Sequence, residues 1–225
     1  MGIHLWLVEL DAPDVAADVR LSAPELERAG RFAFERDRRR YLSAHRALRG
    51  VLTQVAGMRG EALFEFGPHG KPSVPELAGW RFNLSHSAHL GLIGLARASC
   101  THGDIGVDIE VRHPVAEIHD LARHHFSADE QAALAALPDA DQALSAFLQG
   151  WTHKESCLKA LGTGLTLPSS AFTLNLSSDL QRTRIPVGAE EAVLDVAAVR
   201  YRADMLASAA RLVYQGAGKP CPESI

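Results

Sequence analysis

The sequence predicts an α+β fold made of two similar halves, and three observations lead to that prediction. Short apolar runs bounded by turn residues are typical of β-strands. Two longer stretches carry apolar residues at spacings of three and four, which indicates helices. The same order of strand, helical region and further strands occurs before and after residue 102. We therefore expect an N-terminal half over residues 1–102, a C-terminal half over 103–215, and a loose tail over 216–225.

The first half is predicted to begin with a strand over residues 3–10. Ser22 and Glu25 have the spacing of a capping box, which predicts the start of a helix. A long helix is predicted over 31–57, with an apolar stripe on one face and arginines on the other. Three short strand patterns, separated by turn residues, follow at 61–66, 80–85 and 89–96.

The second half repeats this pattern, with a strand predicted over 105–111. Ser127 and Glu130 form a second capping box. The longest helix of this half is predicted over 140–161 and should end at Gly162, since glycine is favoured just after a helix. Three more strands are predicted at 171–176, 193–200 and 206–214.

Composition and charge narrow the class of protein. The 225 residues carry a net charge of −4, although residues 28–49 contain eight arginines against only two acids. This charge balance disfavours general affinity for nucleic acids. No signal peptide or membrane-spanning run is visible, and three scattered cysteines are interpreted as unpaired thiols. We expect a cytoplasmic protein, monomeric by default, that needs no membrane.

Two acidic residues stand out in the strand over 105–111. Asp108 and Glu110 are two positions apart, so a strand directs both side chains to one face. Carboxylates in an otherwise apolar strand cost free energy unless they are paired or bind a metal. A solvated strand face remains the alternative. The pattern therefore favours a dedicated partner for these two carboxylates.

The helix over 140–161 carries a second candidate group. Trp151, Lys154, Glu155 and Lys159 recur at spacings of three and four, so they are predicted to share a face. If this face meets the acidic strand, three carboxylates and two ammonium groups surround one point. Mg²⁺ with a bound pyrophosphate requires such ligands, which predicts metal-assisted phosphoryl-type transfer. A surface ion pair between Glu155 and Lys159 is the alternative interpretation.

The segment 83–87, Asn-Leu-Ser-His-Ser, lies where a predicted strand changes to small polar residues. Ser85 and His86 are adjacent, so on a strand their side chains diverge and do not form a nucleophile and base pair. We interpret His86 as a contact for a phosphate or a hydroxyl group. A polar turn is the alternative for this segment, and Lys71 is either a turn lysine or a phosphate contact.

Together these runs resemble the 4'-phosphopantetheinyl transferases of the surfactin-synthetase-activating (Sfp) type. That family has, in order, a GKP turn, an N-[IL]-S-H-S segment, a G-[IV]-D-x-E strand, a W-x-x-K-E-x-x-x-K helix and a G-x-G loop. The matching residues here are 70–72, 83–87, 106–110, 151–159 and 162–164. The resemblance extends over nearly the whole chain and implies two α+β halves related by a pseudo-twofold axis, with the active site between them.

The resemblance implies transfer of the phosphopantetheine arm of coenzyme A to a serine of an apo acyl or peptidyl carrier protein, with release of 3',5'-ADP. Mg²⁺, or alternatively Mn²⁺, would bind Asp108, Glu110 and Glu155. Glu155 and Lys159 are the implied catalytic residues, and Glu155 is either a metal ligand, a general base or both. The implied contacts for coenzyme A are Arg31, Arg46, Lys71, Ser85, His86, Lys154 and Lys159.

Two other functions remain compatible with the residues. One is a Mg²⁺-dependent nucleotide phosphohydrolase, which would use the same three carboxylates to activate water. The other is a nucleic-acid-binding module, in which the arginine-rich segment contacts phosphates. The order of the five motifs favours the transferase over both.

Overall fold

The structure is a computed structural model that describes residues 2–13 and 16–214, so the predicted tail over 216–225 lies outside the described residues. The fold is α+β with antiparallel sheets, as predicted. The α-helices and strands, in chain order, are β1 (His4–Glu9), α1 (Ala23–Ala29), α2 (Glu35–Ala56), β2 (Glu65–Phe66), β3 (Pro72–Ser73), β4 (Trp80–Ser87), β5 (Leu90–Arg97), β6 (His102–Val111), α3 (Ile118–His125), α4 (Ala128–Ala135), α5 (Ala140–Leu161), β7 (Leu180–Val187), β8 (Glu190–Val199) and β9 (Met205–Val213).

The first sheet has the strand order β1-β5-β4, and α2 packs against it. The apolar stripe of α2 contributes Leu48 and Leu52, which are buried against Phe82 of β4 and against Ile93 and Leu95 of β5. Burial of each large apolar side chain stabilises the folded state by about 1.5–3 kcal/mol. Polar and charged residues of α2, such as Glu35, Arg36 and Arg39, are exposed on its other side.

The second sheet has the order β6-β9-β8-β7, and α5 packs across it. Gly106 of β6 permits a close approach of α5. A Cβ atom at Gly106 would lie 2.1 Å from the carbonyl oxygen of Ser156 and 2.5 Å from the backbone nitrogen of Ala160. The glycine of the G-[IV]-D-x-E motif therefore sets the distance between the acidic strand and the helix that carries Glu155.

Strands β4 and β6 lie side by side where the two sheets meet. They are joined through side chains, because Asn83 Oδ1 of β4 accepts a hydrogen bond of 2.8 Å from the backbone N–H of Val107 in β6. Leu90, Leu92 and Ile109 bury an apolar core next to this junction. The polar residues of β4 thus connect two sheets, where the sequence also allowed a polar turn.

Most predicted elements occur close to their expected positions. The helix over 140–161 has the predicted bounds, and Gly162 ends it with φ 68°. Both capping boxes are present. The helix predicted from residue 31 begins at Glu35, since Phe34 is still extended with φ −114° and ψ 130°.

The strand prediction over 171–176 is wrong, and β7 was missed. Residues Ser169–Ala171 form a short 3₁₀ turn. The backbone N–H of Leu174 donates to the Glu130 carboxylate at 2.8 Å, so a helix side chain takes the place of a neighbouring strand. β7 is an edge strand with arginines at alternate positions, and it lacks the continuous apolar run used to recognise strands.

The structure also bears on the predictions about the cysteines and about membrane-spanning segments. Cys157 is a buried free thiol, whereas Cys100 is disulfide-bonded, so the interpretation of Cys100 as an unpaired thiol is wrong. Among the residues that the structure describes, no helix combines the length and apolar content needed to cross a membrane.

Candidate functional site

The acidic strand and β4 face each other through alternating side chains. Ser85 Oγ of β4 donates a hydrogen bond of 2.8 Å to Asp108 Oδ1 of β6, and Ser87 Oγ donates one of 2.7 Å to Glu110 Oε2. The period of two along both strands produces this ladder, because residues two apart share a face. Asp108 and Glu110 thus share a face, as predicted, and each is held by a serine of the other sheet.

Lys159 brings α5 to the same point. Its Nζ lies 2.5 Å from Asp108 Oδ1 and donates to Ser85 Oγ at 3.0 Å. Asp108 is only 4% exposed. Its second oxygen, Oδ2, is buried and has no hydrogen-bond partner among the described residues. A buried carboxylate oxygen without a donor is costly, so this atom is suited to accept a further cationic or hydrogen-bonding group.

Glu155 lies one helical turn before Lys159 and completes the acidic group. Burial raises the pKa of Glu155, and the negative charges of Asp108 and Glu110 raise it further against the opposing effect of Lys159. The pKa of Glu110 is also raised, chiefly by burial, with Asp108 adding to the shift and the Ser87 hydrogen bond opposing it. The three carboxylates therefore repel one another across a shared space.

A divalent cation fits the chemistry of this group. Hard carboxylate oxygens, an unpartnered Oδ2 on Asp108 and raised pKa values of two neighbours are all features that a bound cation would relieve. Within the described chain, no three side chains of the ligand types His, Cys, Asp and Glu are already gathered as a metal-binding group. At Asp108, the ammonium group of Lys159 supplies the compensating charge.

The side chain of Lys154 does not reach these carboxylates, and its contact with coenzyme A stays a prediction. Its side chain is 1% exposed and forms an ion pair of 2.8 Å with Glu130. The Nζ also donates to the carbonyl oxygens of Ser169 and Phe172, at 2.7 and 2.6 Å. Consecutive helix residues point about 100° apart, so Glu155 faces the acidic strand while Lys154 enters the core.

Lys71 of the GKP turn bridges parts of the chain that are distant in sequence. Its Nζ donates to the carbonyl oxygen of Ile105 at 3.1 Å and to that of Ala160 at 3.0 Å, and it lies 3.6 Å from Asp104. Burial lowers the pKa of Lys71. The turn thus rests on β6 and the end of α5, while contact of Lys71 with coenzyme A stays a prediction.

A cleft of about 820 Å³ lies on the side of the first sheet, and Asn83, Leu84 and His86 of β4 form part of its lining. Burial lowers the pKa of His86, and the positive charge of Lys159 lowers it further. Arg31 also lines this cleft, where it pairs with Glu27 at 2.5 Å. Cationic and aromatic side chains thus share one concave surface, whose other such members are Arg28, Phe32, Tyr41, His45, Phe64 and Phe66.

His45 is a cleft residue to which the sequence reasoning assigned no role. Glu25 holds it, because Glu25 Oε1 lies 2.9 Å from His45 Nδ1 while Oε2 accepts from Arg49 Nε at 2.8 Å. Burial opposes ionisation, but the hydrogen bonds from His45, Arg49 and Ser22 lower the pKa of Glu25 to about 2. The position of His45 one turn after Tyr41 was the signal in the sequence that both line one face.

Arg46 is not brought to this cleft. It lines a separate groove of about 320 Å³, together with Arg39, Ser43 and Asp11. His45 and Arg46 are consecutive on α2, so their side chains diverge by about 100°. Arg46 and His86 therefore line different concave surfaces, and contact of Arg46 with coenzyme A stays a prediction.

A protein-family model and individual relatives both match the sequence of this chain, and they name the same family. The profile of the 4'-phosphopantetheinyl transferase superfamily matches residues 104–200. The chain is 37% identical over 172 residues to the 4'-phosphopantetheinyl transferase HetI of Nostoc sp., an alignment that covers 72% of this chain and 70% of that protein. It is 30% identical over 162 residues to the 4'-phosphopantetheinyl transferase Sfp of Bacillus subtilis, with 72% and 69% covered.

Among solved structures, the crystal structure of Thermotoga maritima holo-[acyl-carrier-protein] synthase shares 14% identity with the chain. The match covers 51% of this chain and 64% of that one, with a TM-score of 0.31.

Proposed function

Because the chain belongs to the 4'-phosphopantetheinyl transferase superfamily, we propose that it transfers the 4'-phosphopantetheine arm of coenzyme A to a serine of an apo acyl or peptidyl carrier protein. The observation that carries the proposal is the buried Asp108, which pairs with Lys159 through Oδ1 and leaves Oδ2 without a partner among the described residues. A monomer that acts in the cytoplasm completes the proposal.

Coenzyme A would lie along the cleft that His86 lines, with one end next to Asp108, Glu110 and Glu155. The guanidinium groups of Arg28 and Arg31 and the imidazole of His45 suit its phosphate groups, and the aromatic rings of the cleft suit the adenine base. His86 lines this cleft and follows Ser85, whose Oγ accepts a hydrogen bond from Lys159 Nζ. The pyrophosphate of coenzyme A would then lie close to the three carboxylates.

Asp108, Glu110 and Glu155 would hold Mg²⁺, with Mn²⁺ as a possible substitute. When bound, the cation supplies positive charge that offsets the charge developing on the pyrophosphate. Ser85 and Ser87 orient Asp108 and Glu110 through the hydrogen bonds of the ladder. Lys159 stabilises the phosphate oxygens as a point charge.

Glu155 is the proposed acceptor of the proton from the carrier serine. Its carboxylate lies one helical turn before Lys159, next to the proposed cation site, which makes it the candidate base for this proton. In the reaction, the serine oxygen forms a bond to the phosphorus that bears the pantetheine arm. The bond from that phosphorus to the bridging oxygen breaks, the electron pair leaves with 3',5'-ADP, and the serine proton passes to Glu155.

The direct test is incubation of the protein with coenzyme A, Mg²⁺ and a panel of apo acyl and peptidyl carrier proteins, followed by mass measurement of each carrier. We expect a gain of one phosphopantetheine on at least one carrier, and none when the carrier serine is replaced by alanine. Hydrolysis of coenzyme A at the same rate without a carrier would favour the phosphohydrolase. Absence of any mass gain on the whole panel contradicts the proposal.

The nucleic-acid-binding alternative has less support from the arginine-rich segment. Several of its guanidinium groups are engaged by acids of the chain itself, since Arg36, Arg38 and Arg40 pair with Asp37, Glu35 and Asp11. Arg49 is buried against Glu25. Salt-dependent binding of RNA or DNA that persists when Asp108, Glu110 and Glu155 are replaced would favour this alternative.

A further inference from the structure

The groove that holds Arg46 lies between α2 and the loop after β1. Arg39, Ser43 and Arg46 are spaced by four and three residues on α2, so they form one stripe along the groove. The facing wall is formed by residues 10–13 and Ala17. This stripe lies on a different face of α2 from Tyr41 and His45, which line the cleft beside His86.

The two arginines of this stripe differ from the other arginines of the segment. Five arginines of residues 28–49 form ion pairs with acids, and Arg28 lies over the ring of Tyr41. Arg39 and Arg46 form no hydrogen bond or ion pair with any described residue, and the Nε of Arg46 is buried without an acceptor. A buried N–H without an acceptor costs free energy, so a ligand that accepts a hydrogen bond from the Nε of Arg46 would be favoured.

Asp11 is the one acid among the described residues that line the groove, and it does not supply that acceptor. Both oxygens of Asp11 accept from Arg40, at 2.8 and 2.6 Å, so its carboxylate is engaged. The hydrogen bond from Arg40 lowers the pKa of Asp11, and the charge of Arg39 adds a smaller effect in the same direction. Among the described residues of the groove, Arg39 and Arg46 therefore keep their positive charges, because the one carboxylate is paired with Arg40.

We propose that this groove is a second anion site, which binds a free phosphate ion or a small phosphate monoester. Two guanidinium groups match the charge of a phosphate dianion, whereas a carboxylate would offset only one of them. Ser43 adds a hydroxyl donor between the two arginines. The site is separate from the cleft assigned to coenzyme A, so both can be filled at the same time.

The test titrates inorganic phosphate into the protein after the cleft beside His86 has been saturated with coenzyme A. Calorimetry or ³¹P NMR should show one saturable phosphate site per chain. Arg46→Met and Arg39→Met should each weaken phosphate binding by about tenfold or more, because each removes a charge-assisted hydrogen bond. Glycerol 3-phosphate titrated in parallel distinguishes the two ligands: tighter binding than phosphate identifies a monoester, and weaker binding identifies the free ion.

Arg38→Met is the matched control. It removes the same charge from the same helix, but its guanidinium is bonded to Glu35. Phosphate affinity of this variant should stay within about twofold of the original protein. Arg39 is exposed, so Arg39→Met keeps the test decisive even if Arg46→Met folds poorly.

Three results would overturn the proposal. The first is the absence of saturable phosphate binding in the presence of coenzyme A. The second is equal weakening by Arg38→Met, since this would indicate a general charge effect of the helix. The third is competition between coenzyme A and phosphate for the groove, which would make the groove part of the coenzyme A site.

Discussion

At Asp108, two donors reach one carboxylate oxygen and none of the described residues reaches the other. Ser85 and Lys159 both contact Oδ1, while Oδ2 is buried without a partner. This asymmetry gives the two oxygens different roles. The first positions the side chain against β4 and α5, and the second is available to a ligand.

Asp108→Asn tests that division of roles. The amide keeps the size of the side chain but loses the charge, so we expect kcat for carrier modification to fall by about 10²–10³ at saturating coenzyme A. The rate should be measured over a range of Mg²⁺ concentrations. Asp195→Asn removes a carboxylate that pairs with Arg182 on the second sheet, and it should remain active. Full activity of Asp108→Asn would contradict the ligand role of Asp108.

Glu155 gives a prediction about stability and pH. Because its pKa is raised in the folded protein, its contribution to stability is complete below the unfolded value of about 4.5 and is lost as pH rises through the folded pKa. Glu155→Gln cannot ionise, so without added metal it should raise the melting temperature at pH 7 to 8. The gain should vanish near pH 4.5.

The control for this measurement is Glu65→Gln, an exposed residue of β2, whose melting temperature should follow the original protein at every pH. Mg²⁺ should stabilise the original protein more than Glu155→Gln, because the variant lacks one proposed ligand. A melting temperature of Glu155→Gln that is lower than the original at pH 8 without metal would refute the assigned environment of Glu155.

At the scale of elements, α5 has two faces with different tasks. One face directs Glu155 and Lys159 to the acidic strand. The other buries Lys154 among α4 and the segment that follows the helix, where its Nζ lies 4.3 Å from the centre of the Phe172 ring. The W-x-x-K-E-x-x-x-K motif therefore combines the proposed catalytic residues with a buried ion pair that anchors the same helix.

Lys154→Met tests the anchor. It leaves the Glu130 carboxylate buried without its cation, which should lower the free energy of unfolding by about 3–5 kcal/mol. The double variant Lys154→Met with Glu130→Gln should recover more than half of this loss, because no isolated charge remains. Urea unfolding measures both. A single-variant loss below about 1 kcal/mol would show that the pair is not an anchor.

At the scale of the whole molecule, the candidate site exists only where the two sheets and α5 meet. β4 supplies Ser85, β6 supplies Asp108, and α5 supplies Lys159. Lys71 adds a further bridge between the GKP turn and α5. A ligand that spans the cleft and the carboxylates would therefore stabilise the contact between the sheets.

Coenzyme A with Mg²⁺ should accordingly raise the melting temperature of the protein in a concentration-dependent way. His86→Ala should weaken coenzyme A binding by about tenfold or more, since it removes a contact at the junction of cleft and site. His119→Ala, which changes an exposed histidine of α3, should leave the shift unaltered. An unchanged shift for His86→Ala would place coenzyme A elsewhere.

Local patterns explain what was predictable about the elements. The bounds of α5, its terminal glycine and the shared face of Asp108 and Glu110 follow from periodicity and capping over a few residues. β7 was missed because this edge strand lacks a continuous apolar run. The segment after residue 171 was mispredicted because its apolar pattern does not show that a helix carboxylate accepts its backbone hydrogen bond.

The sequence by itself determined the α+β class, the family and the set of carboxylates that could act together. Only the tertiary structure decided which partners they meet, because those contacts join residues far apart in the chain. Ser85 and Asp108 are separated by 23 positions, and Asp108 and Lys159 by 51. The same applies to Lys154, which was buried in the core, and to Arg46, which was directed to a separate groove. Spacing along the chain fixes the face of an element, whereas packing fixes what that face touches.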